Sequence, residues 1–356
     1  MDSKKIHSSK MISTTKMVIY SLIPVVFLLI MGETGLRAWS YYFRTSYERF
    51  NIVSGRYELV PGTYKLPSGA KFSINSKGFV GTEFEKQKRE GVYRIFALGD
   101  SCTFGPSEHV YPGMLNGLLN SSKPRHRYEV LNAGIEGYNS TYALARLKED
   151  VLPYEPDMVI IYIGWNDLMK VDPENPSETG KYAGLATMME RSYLMKAYRK
   201  LLFFYLRPLA LKPKLVIDES DFHAFDHFVP LVFQQNLERM IEILREKNIK
   251  SLVLTLPTVV SPDMTYEAIR RQNVVFPYYA GGYSVGRLLS LHGAYNNAIR
   301  RIASKHGVPV LDLDMIFNQH NKNDLFFDTM HPNVNGQMLI AQSILDTVQA
   351  HQSSAE

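Results

Sequence analysis

The stretch from Tyr93 to Gly105 constrains this chain more than any other. Tyr93-Arg94-Ile95-Phe96-Ala97-Leu98 is a short, β-prone apolar run that breaks off into Gly99-Asp100-Ser101-Cys102-Thr103-Phe104-Gly105. A buried strand running into a small-residue turn and then a helix is where open α/β sheets hold their reactive groups. Ser101 falls in that turn. A serine hydroxyl is a weak nucleophile until a base takes its proton, so Ser101 calls for a histidine, a group to orient it, and donors for an oxyanion.

Candidates for all three lie downstream. Leu131-Asn132-Ala133-Gly134 follows a second strand-like run, and Ile163-Gly164-Trp165-Asn166-Asp167 follows a third, Met158 to Ile163. Each places a backbone or side-chain amide at the carboxyl end of a strand. Near the far end stands Asp328-Thr329-Met330-His331-Pro332, three residues from carboxylate to imidazole. In this order G-D-S, an Asn-Ala-Gly turn, G-x-N-D and D-x-x-H resemble the four blocks of the SGNH, or GDSL, hydrolase family, over Tyr93 to the C-terminus.

That resemblance implies Ser101 as nucleophile, His331 as base and Asp328 as the carboxylate that fixes the His331 tautomer. It also implies an oxyanion hole made of the Ser101 and Gly134 backbone N–H groups and the Asn166 side chain. No cofactor and no metal ion are expected. Singly, each residue has a plainer reading: Ser101 as a helix N-cap, Asn166 as a turn residue, His331 with Pro332 as the loop that starts the last helix. Asp100 reads as a structural turn carboxylate, and Cys102 as a small buried hydrophobe behind Ser101.

The α/β rhythm from Tyr93 onward predicts strands at Tyr93 to Leu98, Tyr128 to Asn132, Met158 to Ile163, Ser251 to Leu256 and Val308 to Leu313. Helices fall between them. Asn139 or Ser140 can cap one whose Leu144, Leu147 and Val151 share a face, stopped before Pro153; Leu237, Met240, Ile241 and Leu244 line a second. Leu291, Tyr295, Ala298, Ile299 and Ile302 line a third, ended by Gly307, and the last runs from about Asn335 to Gln349. Parallel strands with crossover helices imply an α/β three-layer α/β/α sandwich, and the family's flavodoxin-like five-stranded order would gather all the blocks on one edge.

The expected organisation is a tail and anchor over 1–37, a stalk with a small β-like module over 38–92, and the hydrolase domain over 93–356 with an insertion at about 168–230. Lys4, Lys5, Lys10 and Lys16 precede an uncharged run from Met17 to Gly32. Sixteen residues span roughly 24 Å, short of the ~30 Å hydrocarbon core, but Lys16 can snorkel, Met11 to Thr15 carry no charge, and Trp39, Tyr41 and Tyr42 suit the far interface. A cleaved signal peptide would have the same basic start, but no A-x-A-like site follows the apolar run. The expectation is an uncleaved transmembrane helix with the catalytic domain periplasmic or extracellular, against which Arg37, Arg44 and Arg49 count.

In the β-like module, Tyr57 to Gly62 and Ala70 to Asn75 alternate apolar with polar between Pro and Gly turns; it is too short to hold a core of its own. In the insertion, Val171 to Gly180 reads as loop. Ser192 to Leu211 is rich in Leu, Tyr and Phe, among Lys196, Arg199, Lys200 and Arg207. It reads either as a substrate cap resting on the membrane or as a helical pair that buries its aromatics on the domain.

Net charge is +5 with no Lys/Arg-rich block, which argues against nucleic acid, and one cysteine excludes an intrachain disulfide or a cysteine-rich metal site. The expected activity is that of a serine esterase on acyl esters, of an envelope polysaccharide or glycolipid. The alternatives are an O-acyltransferase on a glycan, using the same acyl-serine, and a catalytically idle binding component. A rival nucleophile also exists, Ser284 in Gly282-Tyr283-Ser284-Val285-Gly286, which matches the G-x-S-x-G elbow.

Overall fold

The computed structural model describes residues 14–43, 47–51, 53–65, 69–106, 108–121, 127–170, 192–201, 215–216, 218–277 and 283–353. Its strands are β1 (Glu48–Asn51), β2 (Arg56–Leu59), β3 (Gly62–Lys65), β4 (Lys71–Ile74), β5 (Val92–Gly99), β6 (Arg127–Asn132), β7 (Met158–Tyr162), β8 (Leu215–Val216), β9 (Lys250–Leu254), β10 (Tyr283–Ser284) and β11 (Val310–Leu311). The helices are α1 (Thr14–Phe43), α2 (Tyr111–Ser121), α3 (Ser140–Arg146), α4 (Trp165–Lys170), α5 (Tyr193–Lys200), α6 (Leu231–Glu246), α7 (Tyr266–Arg271), α8 (Val285–His306), α9 (Leu313–Asn318) and α10 (Val334–Ser353).

The run at Tyr93 becomes β5, and Ile95, Phe96, Ala97 and Leu98 are wholly buried. A strand apolar on both faces needs cover on both, and it has it. β5 sits inside a parallel five-stranded sheet of order β11-β9-β7-β5-β6, with Phe96 opposite Leu131 on one side and Val159 on the other. Helices α2 and α10 pack together, as do α3 with α6 and α6 with α8. This is the flavodoxin-like three-layer sandwich. The order reverses at β5, which has the strand after it on one side and the next on the other; open α/β sheets bind ligands at the carboxyl ends beside such a reversal.

Strand ends differ from the sequence reading where a cap intervenes. The last strand shrinks to Val310–Leu311 because Asp312 caps α9 by accepting from Met315 N. The strand expected to reach Leu256 stops at Leu254, since Leu256 N donates to Asn296 Oδ1 at 2.8 Å. The helix at Ser140 ends at Arg146 and continues as a π-turn, Leu147–Val151, then a 3-10 turn holding Pro153. Leu147 and Val151 stay buried. Gly307 closes α8 in the left-handed region, φ +63°, as a C-cap glycine does.

Residues 47–92 share the core of the sheet domain. Two hairpins, β1 with β2 and β3 with β4, supply Leu59, Phe72 and Ile74, and Phe79, Val80 and Phe84 join the same apolar cluster. Val80 bridges to Asn132 at the end of β6. Two buried arginines fasten this segment. Arg56 reaches Asp150 at 2.8 Å and Glu149 at 2.9 Å; Arg146 donates to Gly78 O and Ala133 O at 2.8 Å each.

Among the described residues, 14–43 and 192–201 form a unit of their own. Helix α1 carries a 20-residue apolar stretch, Tyr20–Trp39, of mean hydropathy 1.5. By length and composition it fits a membrane anchor or a signal sequence. Within this unit Glu33 caps α5, accepting from Ser192 Oγ at 2.8 Å, Tyr193 N at 3.1 Å and Leu194 N at 2.9 Å. The expectations for the lysines at 4, 5 and 10, for Val171 to Gly180 and for the stretch beyond Leu201 to Leu211 lie outside the described residues.

Candidate active site

β5 delivers Ser101 through Gly99. A Cβ at Gly99 would lie 2.0 Å from Thr103 Oγ1 and 2.7 Å from Tyr162 O, so only glycine lets the chain lie against β7 and turn at once. Asp100 closes the turn: its carbonyl accepts from Thr103 N and Phe104 N at 3.0 Å, and its Oδ1 from Cys102 N at 2.9 Å. Asp100 is thus the turn carboxylate its position implies. Burial, partly opposed by the Cys102 N–H and the charge of His331, raises its carboxyl above the usual range.

Ser101 Oγ stands 2.8 Å from His331 Nε2, and His331 Nδ1 stands 2.8 and 2.9 Å from the two Asp328 oxygens. An ionised carboxylate only accepts, so Nδ1 carries the proton and Nε2 is left to accept from the serine hydroxyl. The Asp328-to-His331 loop is tightened by Met330 N and His331 N, both donating to Asp328 Oδ1 at 3.0 Å. Burial pushes the Asp328 carboxyl up, but the hydrogen bond and charge of His331 and those two amides outweigh it and hold it below its ordinary value. Burial likewise opposes the His331 imidazolium. The hydrogen bond and charge of Asp328, then the charges of Asp100 and Glu136, prevail and lift His331 above an ordinary histidine.

The three expected oxyanion donors are placed differently from one another. Ser101 N has no hydrogen-bond partner among the described residues. Asn166 Nδ2, at the start of α4, lies 3.5 Å from Asp100 Oδ2, at the limit of a hydrogen bond and half-exposed. Gly134 N is already engaged, donating to Asn132 Oδ1 at 2.9 Å, so it can serve an oxyanion only by sharing or exchanging that partner.

Several residues that fix this geometry were not singled out from the sequence. Asn132 also donates from Nδ2 to Thr103 O at 2.8 Å, clasping the Gly134 turn to the Ser101 turn. Buried Gln337 donates to Cys102 O and accepts from Tyr111 N, at 2.9 Å each, joining the Ser101 turn to α2 and α10. Asp167 accepts from Ser140 N at 2.8 Å and Ser140 Oγ at 2.6 Å, which ties α4 to the start of α3; burial pushes its carboxyl up to about 6. Asn132 and Asp167 stand inside the Asn-Ala-Gly and G-x-N-D blocks, and Gln337 lies six residues past His331, in the first turn of the last helix. Cys102 lies buried behind Ser101 with Sγ 3.4 Å from Met330 O, and burial raises its thiol well above the ordinary range.

The rival serine does other work. Ser284 is buried, donates to Asp221 Oδ2 at 2.6 Å and accepts from Arg287 N at 3.2 Å, which makes it the N-cap of α8; Gly282 lies outside the described residues. Among the described residues no group of three or more His, Cys, Asp or Glu side chains could hold a metal ion. A cavity of about 450 Å³ opens at the amino ends of the strands, lined by Tyr93, Met158, Lys250 and Val308, on the edge opposite Ser101.

The family model for the GDSL-like lipases and acylhydrolases matches residues 97–339. The acetylxylan esterase of Geobacillus stearothermophilus is 24% identical over 268 residues, 71% of this chain and 92% of that protein. The solved structure of the acetyl xylan esterase AlAXEase matches with a TM-score of 0.45 at 18% identity, over 72% of this chain and 99% of the other. The lipase/acylhydrolase of Enterococcus faecalis gives a TM-score of 0.45 at 18% identity, over 73% of this chain and 96% of the other.

Proposed function

The chain belongs to the GDSL-like lipase/acylhydrolase family and is a carboxylic ester hydrolase; from that premise we propose that Ser101, His331 and Asp328 carry the reaction, on an acylated carbohydrate. The observation that carries the residue assignment is the continuous run of contacts from Ser101 Oγ through His331 to Asp328.

In this reading His331 Nε2 takes the Ser101 proton as Oγ attacks the ester carbonyl, and Asp328 holds the imidazolium by its Nδ1–H. The carbonyl electrons move onto oxygen, facing the Ser101 N–H, the Asn166 amide and, once it exchanges or shares Asn132, the Gly134 N–H. The imidazolium then protonates the departing alcohol, leaving an acyl-serine that water cleaves by the same steps in reverse. A sugar hydroxyl in place of that water would make the protein an O-acyltransferase.

The acylated-carbohydrate substrate is supported by the name of the Geobacillus relative, and the envelope location by α1. An anchor there would hold the domain outside the cytoplasm, where acylated polysaccharides and glycolipids are exposed.

Labelling with a fluorophosphonate tests the nucleophile. Ser101→Ala should abolish labelling and lower ester hydrolysis by several orders of magnitude, and His331→Ala should do nearly as much; Ser284→Ala should keep both while lowering stability by about 1 kcal/mol through loss of a cap. Full labelling of the Ser101→Ala protein would refute the assignment.

A further inference from the structure

Between buried Ile135 and buried Tyr138 the chain leaves Glu136 and Gly137 exposed. Ile135 N donates to Gly99 O at 3.2 Å, and Tyr138 OH bonds to Tyr57 O, so the loop is pinned on both sides. Glu136 therefore projects at the strand-end edge that carries Ser101, two residues past Gly134. Tyr47 OH donates to its Oε2 at 2.6 Å. The Tyr47 ring in turn stacks on Phe104, three residues from Ser101, with centroids 5.2 Å apart and planes at 20°, and meets Phe72 edge-on at 5.3 Å. Lys170 Nζ, from the helix that begins at Trp165, donates to Gly137 O at 3.2 Å.

One tyrosine thus links the turn of Ser101 to the loop of Gly134 and holds a carboxylate there by a single oxygen. Glu136 Oε1 has no partner among the described residues. We propose that Glu136, positioned by Tyr47, is a specificity-determining residue that binds hydroxyl groups on the alcohol side of the ester and selects a polyhydroxylated, uncharged leaving group. Hydroxyls donate short, charge-assisted bonds to a carboxylate, whereas an apolar acyl chain would desolvate it at a cost and an anionic alcohol would be repelled. This rests on ester cleavage at Ser101 and names the feature that chooses among its esters.

The test compares a partly acetylated xylo-oligosaccharide with p-nitrophenyl acetate, on the detergent-purified full chain. Glu136→Ala and Glu136→Gln should raise KM for the oligosaccharide about tenfold or more, the scale of one hydrogen bond to a charged group, with kcat/KM for p-nitrophenyl acetate within about twofold when both are read on the alkaline plateau, where His331 is neutral with or without the Glu136 charge. Tyr47→Phe should show a smaller KM effect on the same substrate. Equal losses on both esters would mean that Glu136 acts only through the fold or the charge at His331, and would overturn the proposal. So would an oligosaccharide KM unchanged in both variants, or no turnover of it by the unmodified chain. The Ser101→Ala protein reports separately on the nucleophile, since its loss should be the same on both esters.

Discussion

Alanine at Gly134 puts a methyl carbon where the chain leaves no room for one. Its Cβ would lie 2.7 Å from Phe104 N, 2.9 Å from Thr103 Cβ and 3.0 Å from Thr103 C, where ordinary contacts begin at 3.4 Å, so something must yield by about 0.7 Å (3.4 less 2.7). The neighbour is backbone, and it is held: Thr103 N and Phe104 N are bonded to Asp100 O, and Thr103 O to Asn132. Overpacking of this kind costs about 1–3 kcal/mol, and each kcal/mol lowers Tm by roughly 2–4 °C in a domain of 150–250 residues. The same shift separates the Ser101 turn from the Gly134 turn. Misplacement by ~1 Å can cost about a hundredfold in rate, and loss of one oxyanion donor about 10²–10³ in kcat. Gly134→Ala should therefore lose roughly a hundredfold in kcat on p-nitrophenyl acetate with little change in KM, and melt a few degrees lower. Gly117→Ala in α2, where an added Cβ meets nothing within 4 Å, is the control and should keep full activity. A Gly134→Ala enzyme with unchanged kcat and Tm would refute both the steric argument and a role for this turn in the hole.

If Asn166 is the oxyanion donor proposed here, Asn166→Ala should lower kcat by about 10²–10³ while leaving KM near its original value, because such a donor acts in the transition state; a change confined to KM would assign Asn166 to ground-state binding instead. The pH profile follows from His331, which as the proposed base must be neutral to take the Ser101 proton and whose value lies above the ordinary ~6.5. Activity should fall as pH falls through that raised value, and Asp328→Asn, which removes the hydrogen bond and charge that lift it, should move the acid limb to lower pH with a lower plateau. An unmoved limb would show that another group sets it.

The loop from Ile135 to Tyr138 shows how far reading along the chain reaches. Ile135 and Tyr138 are apolar and turn inward while charged Glu136 faces out, as local chemistry predicts, yet nothing local shows that Tyr47, 89 positions away, holds its carboxylate. Asn132 stands inside the Asn-Ala-Gly block, but its grip on Thr103 O, like that of Gln337 on Cys102 O, joins segments far apart in the chain and leaves no local pattern. The G-x-S-x-G stretch erred the other way. Its local pattern fits a nucleophile and a helix cap alike; Ser284 Oγ accepts from Arg287 N as a cap, and its hydroxyl is given to Asp221, 63 positions away.

By itself the sequence determined the buried strand at Tyr93, the parallel α/β rhythm and the residues set at strand ends, because burial on two faces and the chemistry of small-residue turns act over a few residues at a time. The block order pointed to His331 for Ser101, but tertiary structure alone decided the 2.8 Å contact between them, that the described residues of 47–92 join the sheet's core and are tied to it by Arg56 and Arg146, and that the Gly134 N–H is already occupied by Asn132. Those are distances between separate segments, set by how side chains fill the space between layers, and hydrophobic periodicity along one segment does not contain them.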